Sequence, residues 1–262
     1  MQVCISPCPN DTFAFGHLIQ GNVDWSGPPL SFRYEDIQTL NQLGLSDNPP
    51  DVLKFSYGLW PKLMGSYRLL KTGSALGHGV GPLIVGRGST KLEEREALLI
   101  PGIDTTAALL ARRYFPNALL EVLSYEEILP ALENDPNKAG VIIHESRFTY
   151  QDHRLQLLFD LGAHWEKETR SPLPLGGVAI LKKHGEGLAC QLEGSLKASV
   201  DMGWKNPEAL TEFMQIHAQE MKPEVMEQHV QLYVNEDTRD LSDQGIRAIE
   251  TLCNIGTDKL WS

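Results

Sequence analysis

The sequence predicts an α/β protein of two lobes around a central cleft. Three observations carry that expectation. Short apolar strands alternate with helical segments through the first half of the chain. Two extended, glycine-flanked segments, residues 79–88 and 173–183, bracket the middle. A nearly all-helical tail follows from Glu186. A chain that leaves one lobe, builds a second and returns makes two linking strands and a crevice. In open parallel sheets the pocket lies beyond the carboxyl ends of the strands, and closure about a hinge suits such a design. The lobes drawn this way are 1–86 with 178–262, and 87–177 inserted between them.

The elements follow in order. "QVCIS" (2–6) reads as a strand, and residues 11–21 as a helix opened by Asn10 or Asp11 and closed by Gly21. "LSFRYED" (30–36) alternates as a strand does, and "IQTLNQLGL" (37–45) is helical. "DVLKFS" (51–56) is a strand with a short helix, 57–66, behind it. The middle repeats the theme: strand 97–102, helix 105–115, strand 120–124, helix 125–135 with Ile128 and Leu132 on one face, and strand 139–145. This alternation predicts parallel sheets with helices on both faces. In the tail, 206–221, 223–234 and 240–252 read as helices.

The chain has 262 residues and a formal charge of -11. The acidic balance argues against a nucleic-acid binder, because no basic face is available to neutralise phosphates. It leaves room for a local site for a small anion. The amino terminus, "MQVCISPCPN", lacks the basic run and apolar core of a signal peptide. No window approaches the roughly 18 apolar residues of a membrane span. The expectation is a cytoplasmic protein without a membrane partner. Cys4, Cys8, Cys190 and Cys253 fit that setting as free thiols, and their spacing is not that of a zinc site. No metal or organic cofactor is indicated, and an oligomer is left open.

Polar clusters fall at strand ends: "SPCPND", "KFSY", "PGIDTTA" and "HESRFTY". In the third, Asp104 or Thr105 caps a helix, and Thr105 and Thr106 offer hydroxyls beside backbone N–H groups at the positive end of its dipole. That is a place for a carboxylate or phosphate oxygen, although a plain cap explains the same residues. In the first, Pro7 and Pro9 stiffen a turn that presents Asn10, Asp11 and Thr12. In the second, Lys54 and Ser56 share one side of a strand, with Phe55 and Tyr57 on the other. Lys54 is either an anion partner or a lysine snorkelling at the rim. His144 ends the apolar run 141–143 and is the candidate general base, because imidazole titrates near neutral pH. Glu145 and Ser146 stand where they can orient it, and Arg147 where it can hold an anion. His17, His78, His217 and His229 offer no partner legible in the sequence. No Ser/His/Asp order, HExxH or dinucleotide fingerprint is present. On residues alone, the reading stops at a two-lobed binder of a small anion with a plausible base.

Six segments in order, "SPCPNDTFAF", "LKFSYG", "GSALGHGVGPL", "PGIDTTAALL", "IIHESRFTYQD" and "PLPLGGVAI", together resemble the 1,4-dihydroxy-6-naphthoate synthases of the futalosine route to menaquinone. The resemblance runs from residue 6 to about 180. It implies a type II periplasmic-binding-protein-like fold in a cytoplasmic, cofactor-independent lyase. It implies cleavage of cyclic dehypoxanthine futalosine to 1,4-dihydroxy-6-naphthoate and dihydroxyacetone. By motif position it implies His144 as proton acceptor, with Lys54, Phe55 and Ser56 on one substrate-binding segment and Thr105 and Thr106 on the other. Asn10, Asp11 and Arg147 join the expected binding set. The family more often has phenylalanine and histidine where this chain has Tyr57 and Gly58, and often arginine at His78. A small-anion solute-binding protein and the related chorismate dehydratase are the alternatives.

Overall fold

A computed structural model gives the fold and describes residues 1–144, 146–218 and 222–261. The chain divides into two compact units, Met1–Leu76 with Pro174–Ser262, and Gly77–Leu173.

The first unit opens with strand β1 (Gln2–Ile5), helix α1 (Pro9–Ile19), β2 (Ser31–Tyr34), α2 (Ile37–Gly44) and β3 (Val52–Ser56). β1 runs parallel to β2 and to β3. The segment expected as a short helix at 57–66 becomes a 3-10 turn, Tyr57–Leu59, followed by the single helical turn α3 (Trp60–Leu63). Then come β4 (Tyr67–Leu69) and β5 (Ala75–Gly77).

The inserted unit carries β6 (Leu83–Gly86), β7 (Ala97–Ile100), α4 (Thr106–Tyr114), β8 (Leu120–Val122), α5 (Tyr125–Asn134) and β9 (Lys138–Ile142). A short turn of helix, α6 (Ser146–Thr149), β10 (Gln156–Asp160) and α7 (Leu161–Thr169) complete it. The strands lie in the order β10-β6-β9-β7-β8. Its core gathers Leu83, Val85, Leu99, Ile128, Leu132 and Ile142. Gly140 of β9 allows α5 its close approach: a Cβ there would stand 2.5 Å from Ile128.

The chain then returns through β11 (Leu173–Leu181), which pairs antiparallel with β3 and β4, giving the order β2-β1-β3-β11-β4 with β5 also on β11. The long α8 (Gly185–Lys205) packs on α1 over Val3, Ile5, Phe15, Leu192, Leu196 and Val200. The tail continues as α9 (Thr211–His217), α10 (Pro223–Tyr233), α11 (Glu236–Arg239), α12 (Asp243–Cys253) and α13 (Thr257–Leu260). Phe13 of α1 seats Leu210, Met214 and Met226 in a second small core, so the tail belongs to the first unit.

Three further expectations change. The sheets are mixed, not parallel, because β11 in one and β6 and β10 in the other run against their neighbours. The units part at 76/77 and 173/174 instead of 86/87 and 177/178, since β6 is hydrogen-bonded into the inserted sheet and does not link the two. α1 begins at Pro9, whose fixed φ and absent N–H suit the first helical position. Asn10 and Asp11 therefore lie inside the first turn and do not cap it. β10 and α7 go beyond the sequence-based reading. The expected strand end at Glu145 and helix end at 219–221 lie outside the described residues.

Candidate active site

In the inserted unit, β8, β7 and β9 run parallel, with Leu99 of β7 opposite Gly140 of β9. Their carboxyl ends therefore point the same way, and the candidate residues follow directly. After β7 the chain turns through Gly102 to Thr105, the N-cap of α4. Thr105 Oγ1 accepts a hydrogen bond from the Ala108 N–H (3.1 Å) and donates to the Gly102 carbonyl (2.8 Å). The hydroxyl is thus committed to the cap, as the plainer reading had it. What α4 offers a ligand is its first-turn N–H groups and the positive end of its dipole. Thr106 begins the helix and is buried.

After β9, His144 takes a left-handed backbone with φ 54°. Residues other than glycine hold that conformation only where the surroundings impose it, and such strain concentrates at functional sites. The Arg147 N–H returns to the His144 carbonyl at 3.4 Å, closing the turn. The imidazole stands edge-on to the Tyr125 ring, with centroids 5.3 Å apart. Tyr125 starts α5 just beyond β8, so the three parallel strands each deliver one component: Tyr125, Thr105–Thr106 and His144. Arg147 is drawn away from an anion-holding role. Its guanidinium donates to the Gly81 carbonyl at 2.6 Å and faces Asp160 at 3.6 Å, bracing the turn to β10. Glu145 lies outside the described residues.

The first unit repeats the plan at the ends of β1 and β3. Lys54, expected as an anion partner or a rim lysine, is a buried lysine paired with Asp11 at 2.7 Å. Its ammonium also donates to the Gly73 carbonyl (2.9 Å). Asp11 accepts from the Ser6 hydroxyl (2.6 Å), the Ser6 N–H (3.2 Å) and the Asn10 amide (2.8 Å). A buried carboxylate needs that many partners to offset its lost hydration. Ser56 is locked to Asn41, which donates to its hydroxyl (3.1 Å) and accepts its N–H (2.9 Å). Phe55 is wholly buried and stacks on Trp60 with centroids 5.3 Å apart, so its side chain is a core group.

The departure at Tyr57 is also a core feature. Its ring is buried, its hydroxyl hydrogen-bonds Ser74 at 2.6 Å, and burial pushes its ionisation far above the ordinary range. Gly177 leaves the space the ring fills, since a Cβ there would meet the hydroxyl at 2.8 Å. His78 is exposed.

Sequence reasoning missed Ser6, Asn41, Tyr125 and His229. For Asn41 a signal existed: it falls beside Leu40 on the buried face of α2, where a polar side chain must find a partner. His229, from α10, meets Asn10 Oδ1 at 3.0 Å. No local pattern announces a contact across so much chain.

Mixed sheets with polar groups gathered at the carboxyl ends of their parallel strands define a protein of the periplasmic-binding-protein fold. The Candida albicans CA3427 product, described as showing that generic fold, matches with a TM-score of 0.71 at 11% identity, over 97% of this chain and 89% of its own. Protein AF1704 from Archaeoglobus fulgidus matches with a TM-score of 0.90 at 26% identity, over 96% and 94% of the two chains. The family described as menaquinone biosynthesis matches residues 1–258, and the chain belongs to that family. Two relatives are each called 1,4-dihydroxy-6-naphthoate synthase. The Thermus thermophilus protein is 40% identical over 96% of this chain and 92% of its own length. The Streptomyces coelicolor protein is 39% identical over 96% and 91%.

Proposed function

We propose that this chain is a carbon–carbon lyase converting cyclic dehypoxanthine futalosine to 1,4-dihydroxy-6-naphthoate and dihydroxyacetone. The observation that carries the reaction is near-full-length identity of 40% and 39% to two proteins named for that product. The roles within the inserted unit rest on geometry. The substrate carboxylate takes the amino end of α4 at Thr105 and Thr106. His144 removes the proton from a hydroxyl of the former ribose ring. The oxygen becomes the carbonyl of the leaving three-carbon fragment as the carbon–carbon bond breaks. The electron pair passes into the bicycle, which then aromatises and supplies much of the driving force. Within the first unit, Lys54, Asn10 and Asp11 are the substrate-binding candidates, with Ser56 and Phe55 supporting them.

The substrate is an anionic small molecule and the protein acts in the cytoplasm. No described helix is long and apolar enough to cross a membrane.

The test is to incubate purified protein with cyclic dehypoxanthine futalosine and follow 1,4-dihydroxy-6-naphthoate by chromatography. A positioned general base contributes about 100- to 10,000-fold, so His144→Asn should lose turnover in that range while still binding substrate. Near-wild-type turnover in that variant removes His144 from the role. Saturable binding without product in the wild type would favour solute binding, which shares the fold. Neither product nor binding would reject the substrate.

A further inference from the structure

We propose that His229 is a positioning residue for the Lys54 ammonium, acting through Asn10 and Asp11. The inference deepens the reading above, in that Lys54 is taken to face substrate. Lys54 Nζ is held by two acceptors, the Gly73 carbonyl at 2.9 Å and Asp11 Oδ1 at 2.7 Å. Asp11 is set in turn by Ser6 on one oxygen and by the Asn10 amide on the other. That amide is the adjustable member, because a half-turn about its last bond exchanges donor for acceptor.

The chemistry of the neighbours fixes its sense. Asp11 Oδ1 is a carboxylate oxygen already serving the ammonium, so Asn10 must turn Nδ2 toward it. Asn10 Oδ1 then faces His229 Nε2 at 3.0 Å, and that nitrogen must carry the hydrogen. His229 is 1% exposed on α10, with its ring against Tyr233 at 4.8 Å between centroids. Without this donor the buried Asn10 Oδ1 loses its partner, and the side chain is drawn off Asp11 Oδ1 as the oxygen seeks another hydrogen. Asp11 then loses a donor, and the ammonium it anchors shifts. A buried histidine on a helix is most often a packing group. This one spans from the tail to the first turn of α1 and ends on the amide that also donates to Asp11.

The test compares His229→Leu with His229→Gln, whose amide nitrogen reaches the same place as Nε2. Three quantities are read: the melting temperature, the 15N–1H signal of the Lys54 ammonium (assigned by its loss in Lys54→Met), and KM and kcat with cyclic dehypoxanthine futalosine. Loss of one neutral hydrogen bond predicts a rise in KM of roughly 2- to 10-fold in His229→Leu, with kcat changed by less than about 2-fold. The Lys54 signal moves with it, and His229→Gln recovers most of both. A folded His229→Leu protein with an unmoved Lys54 signal overturns the proposal. So does a His229→Gln protein no better than His229→Leu at equal melting temperature, the mark of a purely structural role. Should His229→Leu not fold, Asn10→Ala breaks the same bridge, and an unchanged Lys54 signal there overturns the proposal too. Absence of product from the wild type rejects the functional reading instead, and the Lys54 signal still judges His229.

Discussion

Lys54 Nζ lies 2.7 Å from Asp11 Oδ1, and the two side chains are only 5% and 2% exposed. The pair closes the carboxyl end of β3 against the first turn of α1. Its charges cancel within the first unit, so any charge this edge offers a ligand is that of a dipole and not of a bare ammonium.

Breaking the pair on one side leaves a buried charge without its partner. Lys54→Met should lower unfolding free energy by about 3–5 kcal/mol, and Asp11→Asn by a similar amount. The double variant should be more stable than the sum of the two losses implies, because no charge is left stranded. Urea denaturation of the three proteins measures this. A single-variant loss below about 1 kcal/mol would mean that water reaches the pair.

His144 separates stability from function. Its left-handed backbone, φ 54°, costs a residue with a Cβ about 1–2 kcal/mol that glycine does not bear. His144→Gly should therefore unfold at higher urea than His144→Ala, by about 1 kcal/mol after glycine's greater chain entropy is subtracted. If His144 is the general base, both should also lose turnover by about 100- to 10,000-fold. An alanine variant as stable as the glycine variant would deny the strain.

Thr105 caps α4 through its hydroxyl. Thr105→Ala should cost about 1 kcal/mol of stability, and Thr105→Ser only a few tenths. If the amino end of α4 holds the substrate carboxylate, Thr105→Ala should also raise KM more than it lowers kcat. Equal stability of the alanine and serine variants would show that the cap is idle.

Asp51 supplies a pH signature. Burial alone would raise its pKa. The Gln2 N–H, Lys183 and His184 more than offset this and hold it at about 2, against an ordinary value of 3.8. A carboxyl depressed in the folded state stabilises above the unfolded pKa and loses that contribution as pH falls toward the folded one. Asp51→Asn should cost about 2 kcal/mol at pH 7. The gap to wild type should hold down to about pH 4 and narrow between there and pH 2. Urea denaturation at pH 7, 5, 4 and 3 checks it, and a gap independent of pH would assign the effect to geometry and not charge.

Most of the fold was legible. Val3-Cys4-Ile5, Val52-Leu53 and Leu98-Leu99-Ile100 are apolar runs that only strands covered on both faces explain, and all are buried. β10 was not legible. Leu157 is 47% exposed at a sheet edge, and α7 follows Asp160 with no glycine or proline between them to mark the change.

The sequence by itself determined which residues gather at the strand ends, because a strand's apolar run must stop where its side chains leave the core. It placed Asn10, Asp11, Lys54, Thr105, Thr106 and His144 there. The tertiary structure alone decided what those residues do with one another. An apolar run reads the same whichever way its neighbour runs, so the antiparallel sense of β6, β10 and β11 could not be seen in it. Lys54 and Arg147 carry the same charge along the chain. Asp11 binds one and Asp160 the other only after folding has removed the water that would otherwise solvate them.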